Sequence, residues 1–492
     1  MRSTTAVTIV SVGLAFLSMC MPNQPTASSP QAAAQPGKVL ARVEARAVWI
    51  WGSTVRAQGA AVVAERLKER GMTDAILLVK GSAGTVAYPS AIAPPAAAAD
   101  TLGEFIDACH ARGIRVHAWL NYHQDDAYGE KTKRAYSIWH VRTMPAPPSS
   151  MNDGRICPLR AEEGYNAYFL SIVQEILDRY DVDGIHLDYI RYPHTVYCFC
   201  PAHQARAAAE GIDVARVRAL INKTYYPAPG DGKTFFNAFA AGDPDAVKWV
   251  GLREAEINGV VEMVKQTVDG HNAATGADPA EAVQLSAALM PEGALSGMVT
   301  DLARSDQFAL CHYGQGYEAI SGMASFITPM SYHKDYGQPA AWVGQVTSGA
   351  VAKAAPQAVW AGIQVYDVTS QAVADALAAA RWNGASGFAL FRYGVSSSGE
   401  LASQALVPAI ESLIEATAGA GDAGWIDADI LPSLTQKLRN VQKSLDAGDT
   451  RAAANRLGAY VNELQAQGGK HVDARAAHAL MADAAWVVDL IK

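Results

Sequence analysis

The stretch "VDGIHLDYIRYP", residues 182–193, ends an apolar run with an acid. If it is a strand, its side chains alternate. Ile185 and Leu187 then share one face, and His186 and Asp188 share the other. Placed at the carboxyl end of a barrel strand, Asp188 stands at the height where barrel enzymes work. The plainer reading is an ion pair with Arg191 or a helix cap. Glycoside cleavage needs a second carboxyl group, one of the pair protonated to help the leaving oxygen depart. Glu292 in "LMPEG" ranks first, because it follows the next strand in the chain. Asp335 in "SYHKDY" comes next, then Asp125 and Asp126 in "NYHQDD". Each of these, taken singly, reads as an ordinary solvated loop acid.

The exits of the other apolar runs carry aromatic and polar residues: Trp49, Trp51, Lys80, Asn121, Tyr122, His123, Tyr332, His333, Tyr366, Arg392 and Tyr393. With His186, Tyr189, Arg191 and Tyr192 they predict a cleft for flat, amphipathic rings such as sugars. Aromatic faces supply stacking area and the polar groups bind hydroxyls. Two alternatives stand beside a glycosidase. One is a glycan-binding barrel without catalysis. The other is a metal-dependent deacetylase using His123 and Asp125. "GDGKT", ending at Thr234, is not a phosphate loop, since Pro227 takes the first required Gly. No cofactor is expected. Cys109 sits in an apolar helix pattern. Cys198 and Cys200 are too close to bridge each other, whereas Cys157 could pair with one of them. "CFCPAHQ" could hold a metal with His203, but its spacing is not that of a paired zinc knuckle, and no metal is assigned.

These residues need a scaffold that brings eight segments together. The strand patterns begin at Arg46, Ala75, Arg115, Gly184, Val283, Phe326, Val359 and Gly387. Helix patterns lie between them: Ala60–Arg70, a helix opened by a Thr101/Glu104 capping box, Glu163–Arg179 and Asp245–Val268. Near-continuous apolar strands alternating with helices predict a parallel sheet covered on both faces. Eight of them favour a closed (β/α)₈ TIM barrel over residues 41–415. The connections after the third and fourth strands are long and must pile over the strands' carboxyl ends. Residues 416–424, "ATAGAGDAG", read as a linker. Residues 425–492 hold three helix patterns and predict a small all-α bundle.

The formal net charge of −8, with no run of Lys or Arg, argues against nucleic acid. Residues 1–20 read as an export signal, too short in its apolar part to span a membrane. "LSMC" resembles a lipobox, with Cys20 as the lipidated residue and a lipid anchor to the membrane. Met19 departs from that pattern, and cleavage near "QAAAQ", residues 31–35, is the competitor. Residues 21–40 form a flexible linker. Export to the cell envelope, or secretion, follows from either.

"RAVWIWG", "VKGSAGTVAYPSAIAP", "GIRVHAWLN", "VDGIHLDYIRYP", "WVGLREAEINGVVEMV" and "FITPMSY" together resemble the glycosyl-hydrolase-like family 10 barrels of bacteria, over roughly residues 42–413. That resemblance implies an exported polysaccharide hydrolase. Peptidoglycan glycan strands stripped of stem peptides lead as substrate, followed by a capsule or exopolysaccharide. By the family's likeness to the α-amylase clan, Asp188 would be the nucleophile and Glu292 the strand-five acid. His186 would stand where that clan usually has Arg. The tail resembles the FIMAH helical module, which implies attachment or spacing.

Overall fold

The computed structural model describes residues 44–142, 154–296, 305–394 and 410–491. The chain divides into two units: a barrel over residues 45–403 and a second unit built from residues 404–492 with the segment before residue 45. The proposed signal, Cys20 and the linker at 21–40 lie outside the described residues. No helix among the described residues is long and apolar enough to cross a membrane.

Eight parallel strands close the barrel in sequence order. They are β1 Ala45–Trp51, β2 Asp74–Lys80, β3 Arg115–Asn121, β4 Gly184–Asp188, β5 Gln284–Leu289, β6 Phe326–Ser331, β7 Ala358–Gln364 and β8 Gly387–Phe391. Each begins within a residue of the position its apolar run predicts. Apolar residues fill both faces of most strands because one face meets the helices and the other fills the interior. Ala45, Ala47, Trp49, Ile76, Trp119, Phe326, Trp360 and Ala389 pack together as an interior cluster. Trp360 stacks on Phe326 with ring centroids 3.6 Å apart, and His117 sets its edge on both rings. Gly184 starts β4 where it must: a Cβ there would meet His117 Nδ1 at 2.2 Å.

The capping box is placed differently from expectation. Asp100, not Thr101, caps the helix Thr101–His110, accepting the Gly103 N–H at 3.0 Å. A carboxylate one residue earlier completes the cap, and Thr101 becomes the first helical residue.

In the second unit the expected linker at 416–424 is mostly helix, Ile410–Asp422, which adds a fourth helix before the three expected over 425–492. Its small residues permit close packing instead of signalling flexibility. A Cβ on Gly421 would meet Leu431 at 2.4 Å. Buried Thr417 hydrogen-bonds Tyr460 at 2.7 Å on the helix Thr450–Gln467.

Candidate active site

The register sets Asn121 of β3 beside Asp188 of β4, at the carboxyl end of the barrel. Asp188 is 5 % exposed. Its Oδ1 accepts the Arg191 guanidinium at 2.9 Å and the Tyr189 N–H at 2.6 Å. Its Oδ2 takes no hydrogen bond from a described residue, leaving one oxygen for a ligand. The chain turns sharply after the strand, with Tyr189 at φ 55°. A non-glycine residue in that left-handed region is strained, and such strain concentrates at functional sites. The turn brings Arg191 back onto Asp188. Burial alone would lower the guanidinium's pKa, but the Asp188 charge and hydrogen bond override it and raise it.

Glu292 follows β5 in a 3₁₀ turn, Pro291–Ala294, and is 3 % exposed. Tyr336 donates to both carboxylate oxygens at 3.1 Å, and Tyr313 to Oε1 at 3.4 Å. Burial raises its pKa above the ordinary carboxylate range, although these hydroxyls and the charge of Arg191 pull the other way. Arg191 thus acts electrostatically on both carboxyl groups. Gln315 ties their strands together: its Oε1 accepts Met290 N–H at 3.0 Å and its Nε2 donates to the Ile190 carbonyl at 3.1 Å.

Asp335 is exposed, and its carboxylate accepts Gln364 Nε2 at 3.0 Å and the Tyr366 hydroxyl. Tyr332 stacks on Phe391 at 5.0 Å, and Tyr366 sets its edge toward both. Burial, with the Asp188 charge behind it, raises the Tyr332 phenol's pKa. Arg392 covers the face of Trp51, which is 38 % exposed, at 3.1 Å from the ring centroid. These groups gather aromatic side chains at the carboxyl ends of β1, β6, β7 and β8.

Several expected wall residues serve the fold instead. Trp49 and His186 lie inside the barrel, buried. Trp49 Nε1 donates to His186 Nε2 at 3.2 Å, so Nδ1 carries the proton toward Ser286 Oγ at 2.9 Å. Burial lowers the His186 pKa to about 3, which keeps the ring neutral. Tyr122 points outward onto the helix Tyr165–Arg179, packed on Tyr165 and Phe169 with its hydroxyl on Asn166. Tyr393 also points outward, donating to Gln58 at 2.8 Å and accepting from Arg66 at 3.2 Å. Tyr192 is buried, its hydroxyl committed to His203 and Glu256. Period-two alternation explains Tyr122, which stands next to the inward Asn121; Tyr393 shares the parity of the inward Ala389 and Phe391 and turns outward only after the strand has ended.

Lys80 and Asp125 form a fully buried ion pair at 3.0 Å, and Asp125 also caps the helix Asp126–Lys131. His123 Nδ1 donates to the Arg191 carbonyl at 3.1 Å, and burial lowers its pKa to about 3. Its Nε2 and the Nδ1 of buried His333 have no hydrogen-bond partner among the described residues. Asp125 is therefore occupied by Lys80, and the His123/Asp125 metal reading loses its carboxylate. Sequence reasoning missed Tyr313, Tyr336 and Gln364, which hold the carboxyl groups, and Gln315, which ties the backbones beside them. The "SYHKDY" motif already contained Tyr336, two residues after Lys334, but nothing local points it at Glu292.

The family model described as "Hypothetical glycosyl hydrolase 6" matches residues 59–189, ending just past Asp188. This part of the chain is glycosyl-hydrolase-like. The family 10 barrels remain a resemblance only; the matching model is this other one. The FIMAH domain model matches residues 410–489. An S-layer-related protein of Niallia circulans is 27 % identical over 243 residues, 42 % of this chain, and the match spans only 14 % of that relative's length. Solved structures with similar chain courses include α-L-fucosidase isoenzyme 2 of Paenibacillus thiaminolyticus, at 16 % identity and TM-score 0.49 over 74 % of this chain and 48 % of that one. They also include the β-galactosidase of Marinomonas ef1, at 12 % identity and TM-score 0.48 over 79 % and 61 %.

Proposed function

We propose that the protein is an exported glycoside hydrolase acting on a cell-envelope polysaccharide, with peptidoglycan glycan strands stripped of stem peptides as the leading substrate. The observation that carries this is a pair of buried carboxyl groups after adjacent strands, held in different surroundings. Asp188 is ion-paired with Arg191 and keeps Oδ2 open. Glu292 is pushed toward its protonated form by burial. Different surroundings let two carboxyl groups divide the roles of acid and nucleophile. Glu292 protonates the departing glycosidic oxygen, and Asp188 Oδ2 meets the anomeric carbon as positive charge develops there. Asp335, tethered to Gln364 and Tyr366 on the exposed rim, accepts sugar hydroxyls and leaves the proton transfer to Glu292. Trp51, Tyr332 and Tyr366 offer ring faces to the sugars.

The substrate class rests on the family resemblance and the aromatic rim. A place at the cell surface rests on the N-terminal export pattern, with Cys20 as lipid attachment point, and agrees with the name of the S-layer-related relative. The 410–491 helices would serve attachment or spacing. The test is mass spectrometry of products from denuded glycan strands. New reducing ends with the wild type, and none with Asp188→Asn, are expected. Full activity in Asp188→Asn would end this assignment, and retention of glycan without product by the wild type would leave a binding barrel.

A further inference from the structure

Three cysteines and one histidine meet in the interior, with neither Asp188 nor Glu292 among them. Cys157 lies in the β3–β4 connection, just before the short helix Pro158–Ala161. Cys198, Cys200 and His203 lie in the β4–β5 connection, the last on the helix Pro201–Ala209. All four are buried, and their ligand atoms lie within 4.8 Å of one another. Cys157 Sγ and Cys200 Sγ are 3.7 Å apart, and His203 Nδ1 is 3.3 and 3.4 Å from them. A tetrahedral zinc ion with bonds of about 2.3 Å to sulfur and about 2.0 Å to nitrogen separates its sulfurs by about 3.8 Å and sulfur from nitrogen by about 3.5 Å. A disulfide would need about 2.05 Å between sulfurs.

We propose that Cys157, Cys198, Cys200 and His203 form a closed zinc site that staples the β3–β4 connection to the β4–β5 connection. The surroundings fit thiolates bound to a cation. Each sulfur faces one backbone N–H: Trp139 on Cys198 at 3.2 Å, Arg160 on Cys157 at 3.5 Å and His203 on Cys200 at 3.5 Å. The far nitrogen of the imidazole, Nε2, faces Glu256 Oε2 at 2.8 Å on the long helix Pro244–Thr275. A carboxylate there fixes the proton on Nε2, so Nδ1 presents its lone pair to the metal, as the outer partners of zinc-bound histidines do. Four protein ligands leave no open position, so the role is structural. Soft thiolates with one imidazole select zinc among the common divalent ions. Tyr192, whose hydroxyl joins His203 and Glu256, links this staple to the turn that carries Arg191. The sequence spacing hid the site because its first ligand comes 41 residues before the second, from another loop.

The test is elemental analysis of the purified full chain after incubation with equimolar zinc and gel filtration, a measurement independent of any glycosidase activity. One zinc per chain is expected. Chelation should then open Cys157, Cys198 and Cys200 to alkylation in peptide mapping, with Cys109 and Cys311 still protected. Cobalt(II) in place of zinc should give the intense visible absorption of a tetrahedral thiolate site. His203→Cys, which keeps four ligands, should retain the metal, and Glu256→Gln should weaken zinc binding about 10- to 100-fold. A wild-type chain that binds no zinc, or a Cys157–Cys200 disulfide in its peptide map, would overturn the proposal.

Discussion

At the floor of the barrel Asp74 meets His117 at 3.1 Å and Arg115 at 2.9 Å, and both the Asp74 and His117 side chains are fully buried. At the mouth Asp188 meets Arg191 at 2.9 Å, yet among the described residues keeps an oxygen open, and Glu292 is surrounded by phenols with no cation of a described residue in hydrogen-bond contact. Both ends bury carboxylates in the same barrel. The floor closes its charges on each other, which serves packing. The mouth leaves one acid underneutralised and the other with a free lone pair, which serves chemistry. Buried titratable groups left in such states mark functional sites more reliably than burial itself.

The largest effect should separate the two ends. Asp188→Asn is expected to remove sugar release entirely in a barrel that still folds, and Glu292→Gln to lower kcat about 10²- to 10⁴-fold, the usual weight of a general acid. Turnover assays beside denaturant melts check both. Asp74→Ala should do the opposite. Breaking a buried pair from one side costs about 3–5 kcal/mol, read in the unfolding midpoint, while KM of the folded fraction stays unchanged. If Asp74→Ala abolished turnover without destabilising the barrel, the contrast between floor and mouth would collapse.

Acidity gives a finer cut. Because the pKa of Glu292 is raised in the folded state, that state holds its proton to higher pH than the unfolded chain does. Its contribution to stability is therefore greatest below the unfolded value and is lost as pH rises through the folded one. Glu292→Gln should melt higher than wild type at neutral pH while being nearly inactive. Tyr336→Phe removes hydrogen bonds that favour the charged carboxylate, so the alkaline limb of the kcat/KM profile should move upward. A downward shift would count against Glu292 as the acid. The smallest effect belongs to the rim. Trp51→Ala should raise KM about 2- to 10-fold with kcat held, matching one aromatic contact of about 0.5–1.5 kcal/mol. Tyr393→Phe, facing helices, should leave KM unmoved.

Much of this was legible along the chain. All eight strands follow from apolar runs bounded by polar exits, because a parallel barrel buries both faces of each strand and so writes itself into composition. Asp188 was legible for the same reason, as the one acid at the end of the β4 run. Glu292 was legible by position alone. Tyr122 and Tyr393 misled because an aromatic at a strand exit looks the same whether it faces the lumen or the helices. His186 misled because an inward polar side chain can be satisfied within the interior, here by Trp49 and Ser286. In the second unit, Ala and Gly between 416 and 424 spelled a linker, whereas small residues also allow helices to touch.

By itself the amino-acid sequence determined the architecture, the strand order and the placing of an acid at the end of β4, since these depend on local pattern and on alternation within one segment. Tertiary structure decided which acid is paired with a cation and which is buried among phenols, which aromatics reach the mouth, and that Cys157 joins Cys198, Cys200 and His203. Those outcomes depend on distances between residues far apart in the chain. Such distances are set by how the loops and helices close over the barrel, and no short stretch of sequence contains them.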